Sequence, residues 1–306
     1  MEPLLSPRQL ANAIGVSESS LKRWCDKGLL TIVKTAGGHR RISVPEALRF
    51  VREQNLSVVE PHLLAMTGSD DRKSRRTEGC VERLAESLVE GNEQACRAIV
   101  FDLFLAGQSV SQIFDEVIAA AFQQIGKKWD CHEVEIWQER GSCQIALRIL
   151  HELRGKQLPP QTDLTAMGAT IEGDNYSLAV TMAEIVLRSA GWDARLLGSS
   201  IPFDSMNNVL KSQQPRLFWL SVSFIADEGA FVSGFSRLAD LATETNTTLV
   251  VGGCALTTEI RKQLRYSAFC DTMQHLEALA LTLARQSKPG PKEFPNQKTR
   301  KISPQK

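Results

Sequence analysis

The chain has 306 residues, with 36 Lys and Arg against 35 Asp and Glu and an apolar share of 42%. That length suits two or three domains rather than one small core. No apolar run reaches the roughly 20 residues of a membrane-spanning helix, and the opening MEPLLSPRQLANAIG lacks a basic stretch followed by a long apolar one. Neither a membrane span nor a secretory leader is therefore expected, and the chain reads as cytoplasmic.

The near-zero net charge conceals an asymmetry. Residues 1–55 carry nine Lys and Arg against five Asp and Glu, residues 288–306 carry six against one, and the middle carries 21 against 29. Basic ends around an acidic body point to nucleic acid at the ends. The seven cysteines, Cys25, Cys80, Cys96, Cys131, Cys143, Cys254 and Cys270, are dispersed with no CxxC pair. Such spacing indicates reduced thiols rather than a disulfide frame or a zinc site.

In chain order, Ser6-Pro7-Arg8-Gln9 reads as a capping box with proline at the first helical position. Leu10, Ala11 and Ile14 then form an apolar stripe that Gly15 ends. Ser17 caps a second helix, with Leu21, Trp24 and Cys25 inward and Lys22, Arg23 and Lys27 outward. Two short helices joined by Gly15-Val16 have helix-turn-helix spacing. From Leu29 to Ile42 two short strands flank Ala36-Gly37-Gly38, where both glycines are expected to supply positive φ angles. Ser43, with Pro45 and Glu46 behind it, starts a third helix that ends near Gln54.

Residues 56–76, which include SDDRKSRR, read as a linker. Residues 77–156 have a 3.6-residue apolar period, and helices are expected near 78–90, 92–106, 109–128 and 133–155, packed as a four-helix bundle. Gln157 to Gln161 reads as a second linker. From 163 to 287 strands and helices alternate, with strands expected at Leu164–Ile171, Ala194–Leu197, Leu217–Val222, Thr248–Val251 and Ala268–Thr272, and a helix at Gln274–Ser287. Five such βα units imply a parallel sheet covered on both faces. The tail 288–306, with four prolines, is expected to be disordered. The fold class is thus multidomain, α and α/β: winged helix-turn-helix, four-helix bundle, and a flavodoxin-like, Rossmann-type five-stranded sheet.

The N-terminal residues LSPRQLANAIGVSESSLKRWCDKGLL and TAGGHRRIS resemble the MerR family of winged-helix transcription regulators. That resemblance implies double-stranded DNA as partner, binding as a homo-oligomer (dimer or tetramer), and contacts from Ser17, Ser19, Ser20, Lys22 and Arg23 on the second helix. Gly38, His39, Arg40 and Arg41 would lie on the wing. The residue types suit these roles, since hydroxyls and cations on a protruding helix reach base edges and phosphates. Arg40 and Arg41 on the hairpin would clamp phosphates.

The remainder resembles the helical-bundle and cobalamin-binding pair of CarH/LitR-type light-responsive repressors, also found as the corrinoid module of methionine synthase. In those proteins the loop after the first strand reads Asp-x-His-x-x-Gly, and the His is the lower cobalt ligand. Here Asp174 is kept, Tyr176 stands for the His and Ala179 for the Gly. A Trp, nine residues, then Glu-His pattern appears as Trp129 and Glu139-Arg140. Ser221-Val222-Ser223 and Gly252-Gly253 follow the third and fourth strands. The resemblance implies adenosylcobalamin as the possible cofactor. Both cobalt-linked histidines are replaced, so no cofactor and no metal are assigned outright. On the residues alone, a pocket at the carboxyl ends of the strands remains open. Trp129 would be its flat lid, Ser221 and Ser223 would offer hydroxyls, and Gly252-Gly253 would admit a ligand closely. The same residues equally read as core and tight turn. His132 falls in an interhelix loop and reads as a surface residue. No nucleophile, base and orienter stand at motif spacing, so no catalysis is expected. The readings carried forward are a DNA-binding regulator, a cobalamin-dependent light-switched repressor, and a corrinoid enzyme subunit.

Overall fold

Each helix of the N-terminal region starts where a side chain can satisfy its first amides. The structure, a computed structural model, describes residues 4–35, 37–54, 56, 58–64 and 79–286. After β1 (Leu4–Leu5), α1 (Pro7–Ala13) begins at Ser6, which forms the full capping box with Gln9. In α2 (Glu18–Asp26) the Ser17 hydroxyl accepts from the amide of Ser20, and in α3 (Val44–Glu53) Ser43 accepts from Glu46. Between α1 and α2 the chain turns at Gly15, whose φ is +66°. Leu10, Ala11, Leu21 and Cys25 are buried, as the stripe predicts.

The hairpin of β2 (Val33–Lys34) and β3 (Arg40–Ser43) is also present, but it is not isolated. β1 pairs with the other edge of β3, giving an antiparallel sheet of order β1-β3-β2. A two-residue strand is too short to show a period, which is why the sequence does not reveal it. Of the two turn glycines only Gly38 has a positive φ, at +75°; Gly37 does not, contrary to the expectation for both.

The expected linkers are less free than their composition suggests. Residues 58–64 fold back on α1: the amides of Val59 and Glu60 both donate to the carbonyl of Ala13, and Leu64 is buried. The rest of that linker, and the tail 288–306 with its expected disorder, lie outside the described residues. Gln157, in the second linker, donates to the carbonyl of Ile185 and to the hydroxyl of Ser189, and the amides of Gln161 and Thr162 both reach the carbonyl of Gly191.

The helical region runs α4 (Cys80–Val89), α5 (Glu93–Leu105), α6 (Val110–Gln112), a π-helical stretch Ile113–Ala119, α7 (Ala120–Asp130) and α8 (Ile136–Arg154). These segments match the expected helices, with the third broken by the π stretch. Apolar positions such as Leu84, Ile99, Phe114, Ile125 and Ile149 close its interior.

The mixed α/β part follows: β4 (Thr165–Ile171), α9 (Ser177–Ser189), β5 (Asp193–Ile201), α10 (Phe203–Gln213), β6 (Leu217–Ser221), α11 (Glu228–Glu244), β7 (Thr248–Gly252), α12 (Thr258–Arg261), β8 (Ala268–Phe269) and α13 (Met273–Gln286). The five strands are parallel in the order β5-β4-β6-β7-β8. Numbered within the sheet this is 2-1-3-4-5, the flavodoxin-like order, whose switch point lies between the first and third strands. Here those are β4 and β6. Their runs TAMGATI and LFWLS are buried almost throughout, because helices cover both faces. Phe231 and Phe235 of α11 fill one face, and α9 and α13 join the helical region on the other.

Asp115 and Ser111 fasten the helical region to α13. The carboxylate of Asp115, on the π-helical stretch, accepts from the amides of Met273 and Gln274 at 2.8 and 2.9 Å and so caps α13 from a distance. Ser111 donates to Glu277 on the same helix. Replacing Asp115 by Ala strands two helix-end donors and is predicted to cost about 1–2 kcal/mol in chemical denaturation. Asp130→Ala, at an exposed helix end, is predicted to stay within about 0.5 kcal/mol.

Candidate functional site

The residues assigned to nucleic-acid contact lie on α2 and on the hairpin, Ser17, Ser19, Lys22, Arg23, Gly38 and His39 exposed and Ser20, Arg40 and Arg41 half-buried. Ser17, Ser19 and Ser20 form a hydroxyl cluster at the start of α2, with Ser17 Oγ 2.9 Å from each of the other two. Arg23 donates to the Ser20 hydroxyl at 3.3 Å, and Lys22 pairs with Glu18 at 2.9 Å. Exposed pairs of this kind contribute little and exchange readily for phosphate. Ser17 accepts the amide of Ser20, so its hydroxyl is committed to starting the helix. At the hairpin tip the amide of Gly38 reaches the carbonyl of Thr35 and His39 donates to the Thr35 hydroxyl, leaving the imidazole exposed.

Arg40 is paired within the protein. Its guanidinium lies 2.8 Å from Asp26 at the end of α2 and is about one-third exposed. The pair ties the hairpin to the helix. Arg41 is half-buried and donates to the carbonyl of Arg40 at 3.2 Å.

The second assigned set lies around the carboxyl ends of β4, β6 and β7. Asp174 is 1% exposed. One carboxylate oxygen accepts from the amide of Tyr176 at 3.0 Å, and the other from Ser223 at 2.6 Å and Phe224 at 3.3 Å. Asp174 is thus a backbone clasp across the switch point. Three N–H donors offset the cost of burying its polar oxygens. Ser223 contributes its amide here rather than the hydroxyl expected from the sequence.

Tyr176 points toward α8. Its hydroxyl accepts from the thiol of Cys143 at 3.7 Å, and that thiol also reaches Glu139 at 3.4 Å. Burial, then Cys143 and Glu139, push the Tyr176 phenol well above its ordinary range. Burial, reinforced by Glu139, pushes the Cys143 thiol up to about 12. Both groups are therefore neutral near pH 7, and the pair acts as a contact between the loop and the helical region. Arg140 is largely exposed beside Glu139, at 3.4 Å. Cys143 was not singled out by the sequence; a cysteine on a helix gives no signal of the tyrosine facing it.

Three cavities border the loop after β4. One, of about 220 Å³, is lined by Arg140, Cys143, Leu147 and Tyr176 among others. The second, of about 210 Å³, is lined by Ser221 and Gly252-Gly253 with Ala179, Met182 and Ala183 of α9 and Met273 and Leu276 of α13. The third, of about 430 Å³, is lined by Glu172, Gly173, Phe203 and Ala226 among others. The first two are below the roughly 300–1,000 Å³ usual for a small-molecule site, and the third is within it. Trp129, 47% exposed, lines none of them, so the expected lid over the pocket is not formed by it. His132 is exposed, with a left-handed φ of 59° at the end of α7.

The glycines are also required by the fold itself. A Cβ at Gly253, whose φ is +123°, would sit 2.1 Å from the carbonyl oxygen of Val222, and one at Gly252 would sit 2.5 Å from that of Cys270. Both glycines also line the cavity beneath Ser221. Gly168 in β4 behaves likewise: a Cβ there would meet the Trp219 ring at 2.1 Å. That ring lies across the strand and donates to the carbonyl of Val180, forming the floor of the second cavity. A glycine inside an apolar strand is the sequence signal that could have revealed this approach.

The comparisons with known proteins place this half of the molecule. Residues 80–154, spanning α4 to α8, match the family described as the B12 binding domain. No curated protein matches the chain. Among solved structures, the chain is similar to the monomethylamine corrinoid protein of Methanosarcina barkeri, at 14% identity with a TM-score of 0.57, over 68% of this chain and 100% of that one. At the same 14% identity it has weaker likenesses to a cobalamin-binding protein of Desulfitobacterium hafniense DCB-2, over 67% of this chain and 97% of that one, and to the methanol:cobalamin methyltransferase complex of Methanosarcina barkeri, over 88% and 93%. Their TM-scores are 0.36 and 0.37. The helical region and the five-stranded sheet therefore share a fold with a corrinoid protein. Among the described residues no helix is long and apolar enough to cross a membrane, and no group of three His, Cys, Asp or Glu is placed to hold a metal ion.

The residues present do not fit a corrinoid whose cobalt takes a protein imidazole. No described histidine lines any of the three cavities, and the phenol of Tyr176 is held neutral against Cys143.

Asp174→Ala would leave three amides without their acceptor and is predicted to destabilise the protein by about 2–4 kcal/mol in denaturant titration. Asp174→Asn, which keeps one acceptor oxygen, should cost less.

Proposed function

We propose that this chain is a DNA-binding transcriptional repressor with a winged helix-turn-helix of the MerR type, whose corrinoid-type body governs self-association and performs no catalysis. The observation that carries this reading is a capped α2 after the Gly15 turn, joined at its far end to the β2–β3 hairpin by the Arg40–Asp26 pair. Ser19, Lys22 and Arg23 of α2 and Gly38 and His39 of the hairpin are exposed, with Ser20 and Arg41 half-buried. A capped helix after a glycine turn is the shape that enters a major groove, and a short hairpin next to it reaches the flanking backbone. The Arg40–Asp26 pair fixes the angle between the two, which a rigid reading head requires. One module of this size makes few phosphate contacts, so a homodimer or tetramer is proposed to double them.

The body then has no protein-supplied cobalt ligand, and cobalamin is not required for the fold. The second reading, a cobalamin-dependent light-switched repressor, is favoured by the B12-binding match over 80–154 and by the cavity beneath Ser221. In it the corrinoid would keep its own base. A corrinoid enzyme subunit is the weaker alternative, because the N-terminal module has no part in such chemistry.

Two measurements separate these readings. Fluorescence anisotropy with a random-sequence duplex should show salt-dependent binding. Arg23→Ala with Arg41→Ala should weaken it across all sequences and lower the salt slope by about 2. No retention of duplex at low salt by the unaltered protein would overturn the DNA reading. Protein mixed with adenosylcobalamin in the dark should emerge colourless from desalting. A stable red complex whose oligomer size changes on illumination would replace the first reading with the second.

A further inference from the structure

The turn between α7 and α8 leaves two tryptophans in solvent. Trp129, at the end of α7, is 47% exposed, and Ile136 and Trp137, at the start of α8, are 62% and 71% exposed. Of the other three tryptophans, Trp192 and Trp219 are buried and Trp24 is half-buried against Phe50. A single exposed aliphatic is ordinary, whereas large apolar side chains left out within one short turn mark a contact surface. None of the three side chains lines a cavity described above, which sets the turn apart from a concave small-molecule site.

The turn that presents them is ordered by its own contacts. The amides of His132 and Glu133 donate to the carbonyls of Trp129 and Lys128 at 2.9 and 2.8 Å. Val134 is buried beneath the turn, and Glu135 and Gln138 form a capping box at the start of α8. A surface already held in place loses little freedom when it is covered. Together the three side chains expose apolar surface on the order of 400 Å², against the roughly 800 Å² that each partner gives to a standard interface. That is enough for the apolar centre of such an interface, with charged residues as its rim. The rim here carries both signs, exposed Lys127 and Arg140 against exposed Asp130, Glu133 and Glu135. A partner of one strong sign would meet like charge on part of this rim. A second copy related by a two-fold axis instead brings the cations of each copy toward the acids of the other.

We propose that the α7–α8 turn is the surface on which a second copy of this chain packs, with Trp129, Ile136 and Trp137 at the centre of the contact and the mixed charges around it. This names the contact for the self-association proposed above and rests on that reading. Trp137, the most exposed of the three, is the residue expected to dominate, since a tryptophan desolvated at the centre of an interface carries a large share of the affinity.

Sedimentation velocity of the full chain, with and without Trp137→Glu, tests it. The unaltered protein should sediment as a dimer or larger at micromolar concentration, and the variant should associate about thirtyfold more weakly or worse. Leu281→Glu, at an exposed apolar position of α13, should leave the size unchanged. A check that does not depend on how a variant folds is acrylamide quenching of tryptophan fluorescence in the unaltered protein, which should diminish as the protein concentration rises. The proposal is overturned if Trp137→Glu sediments as the unaltered protein does, if Leu281→Glu dissociates it equally, or if quenching is independent of concentration. In those cases an unaltered protein that still associates does so through another surface, and the reading of self-association stands. An unaltered protein that is monomeric throughout would overturn both. An oligomer that Trp137→Glu dissociates but that retains no duplex would refute the DNA reading and leave this interface intact.

Discussion

The carboxylate of Asp174 holds together the end of the sheet on which everything around the cleft depends. It binds the amides of Tyr176, Ser223 and Phe224, joining the loop after β4 to the loop after β6. The backbone carbonyl of the same residue accepts from the amide of Ser200 at the end of β5, and the Ser200 hydroxyl accepts from Gly173. Three strands that meet at a topological switch point are thereby fixed by one buried residue. Its buried oxygens are met by three backbone donors, which offsets the cost of taking polar atoms out of water.

This arrangement explains why the retained family-like positions have acquired local duties. Asp174 is fully used by backbone and does not orient a side chain at 176. Tyr176 leans on Cys143 of the helical region, and Gly253 makes room for the carbonyl of Val222. The scaffold shares its fold with a corrinoid protein, while the polar groups around its cleft serve the chain's own structure.

The same economy runs through the joints. Asp115 caps α13, Arg154 pairs with the buried Glu184 of α9 at 3.0 Å, and Gln157 binds the end of α9. The helical region and the sheet are stitched at several points. Among the described residues the N-terminal module meets the body through α3 and α5, where Arg52 is the polar contact.

Local chemistry decided what the sequence could announce. Ser6, Ser17 and Ser43 start helices because a hydroxyl three residues ahead of an amide is enough to cap it. The helical period of 77–156 and the apolar runs of β4, β6 and β7 follow from burial on one face or two. The five-stranded α/β sheet was legible for that reason. Whatever needed two distant segments was decided by tertiary structure alone. β1 completes the small sheet only when β3 lies beside it. Residues 58–64 and 157–161 look like linkers until α1 and α9 offer their carbonyls. The pairing of Arg40 with Asp26 exists only once the hairpin lies beside α2. The substitution at Tyr176 was visible in the sequence, but its meaning was not. Only the fold brings Cys143 to its hydroxyl, and burial there is what keeps the phenol neutral.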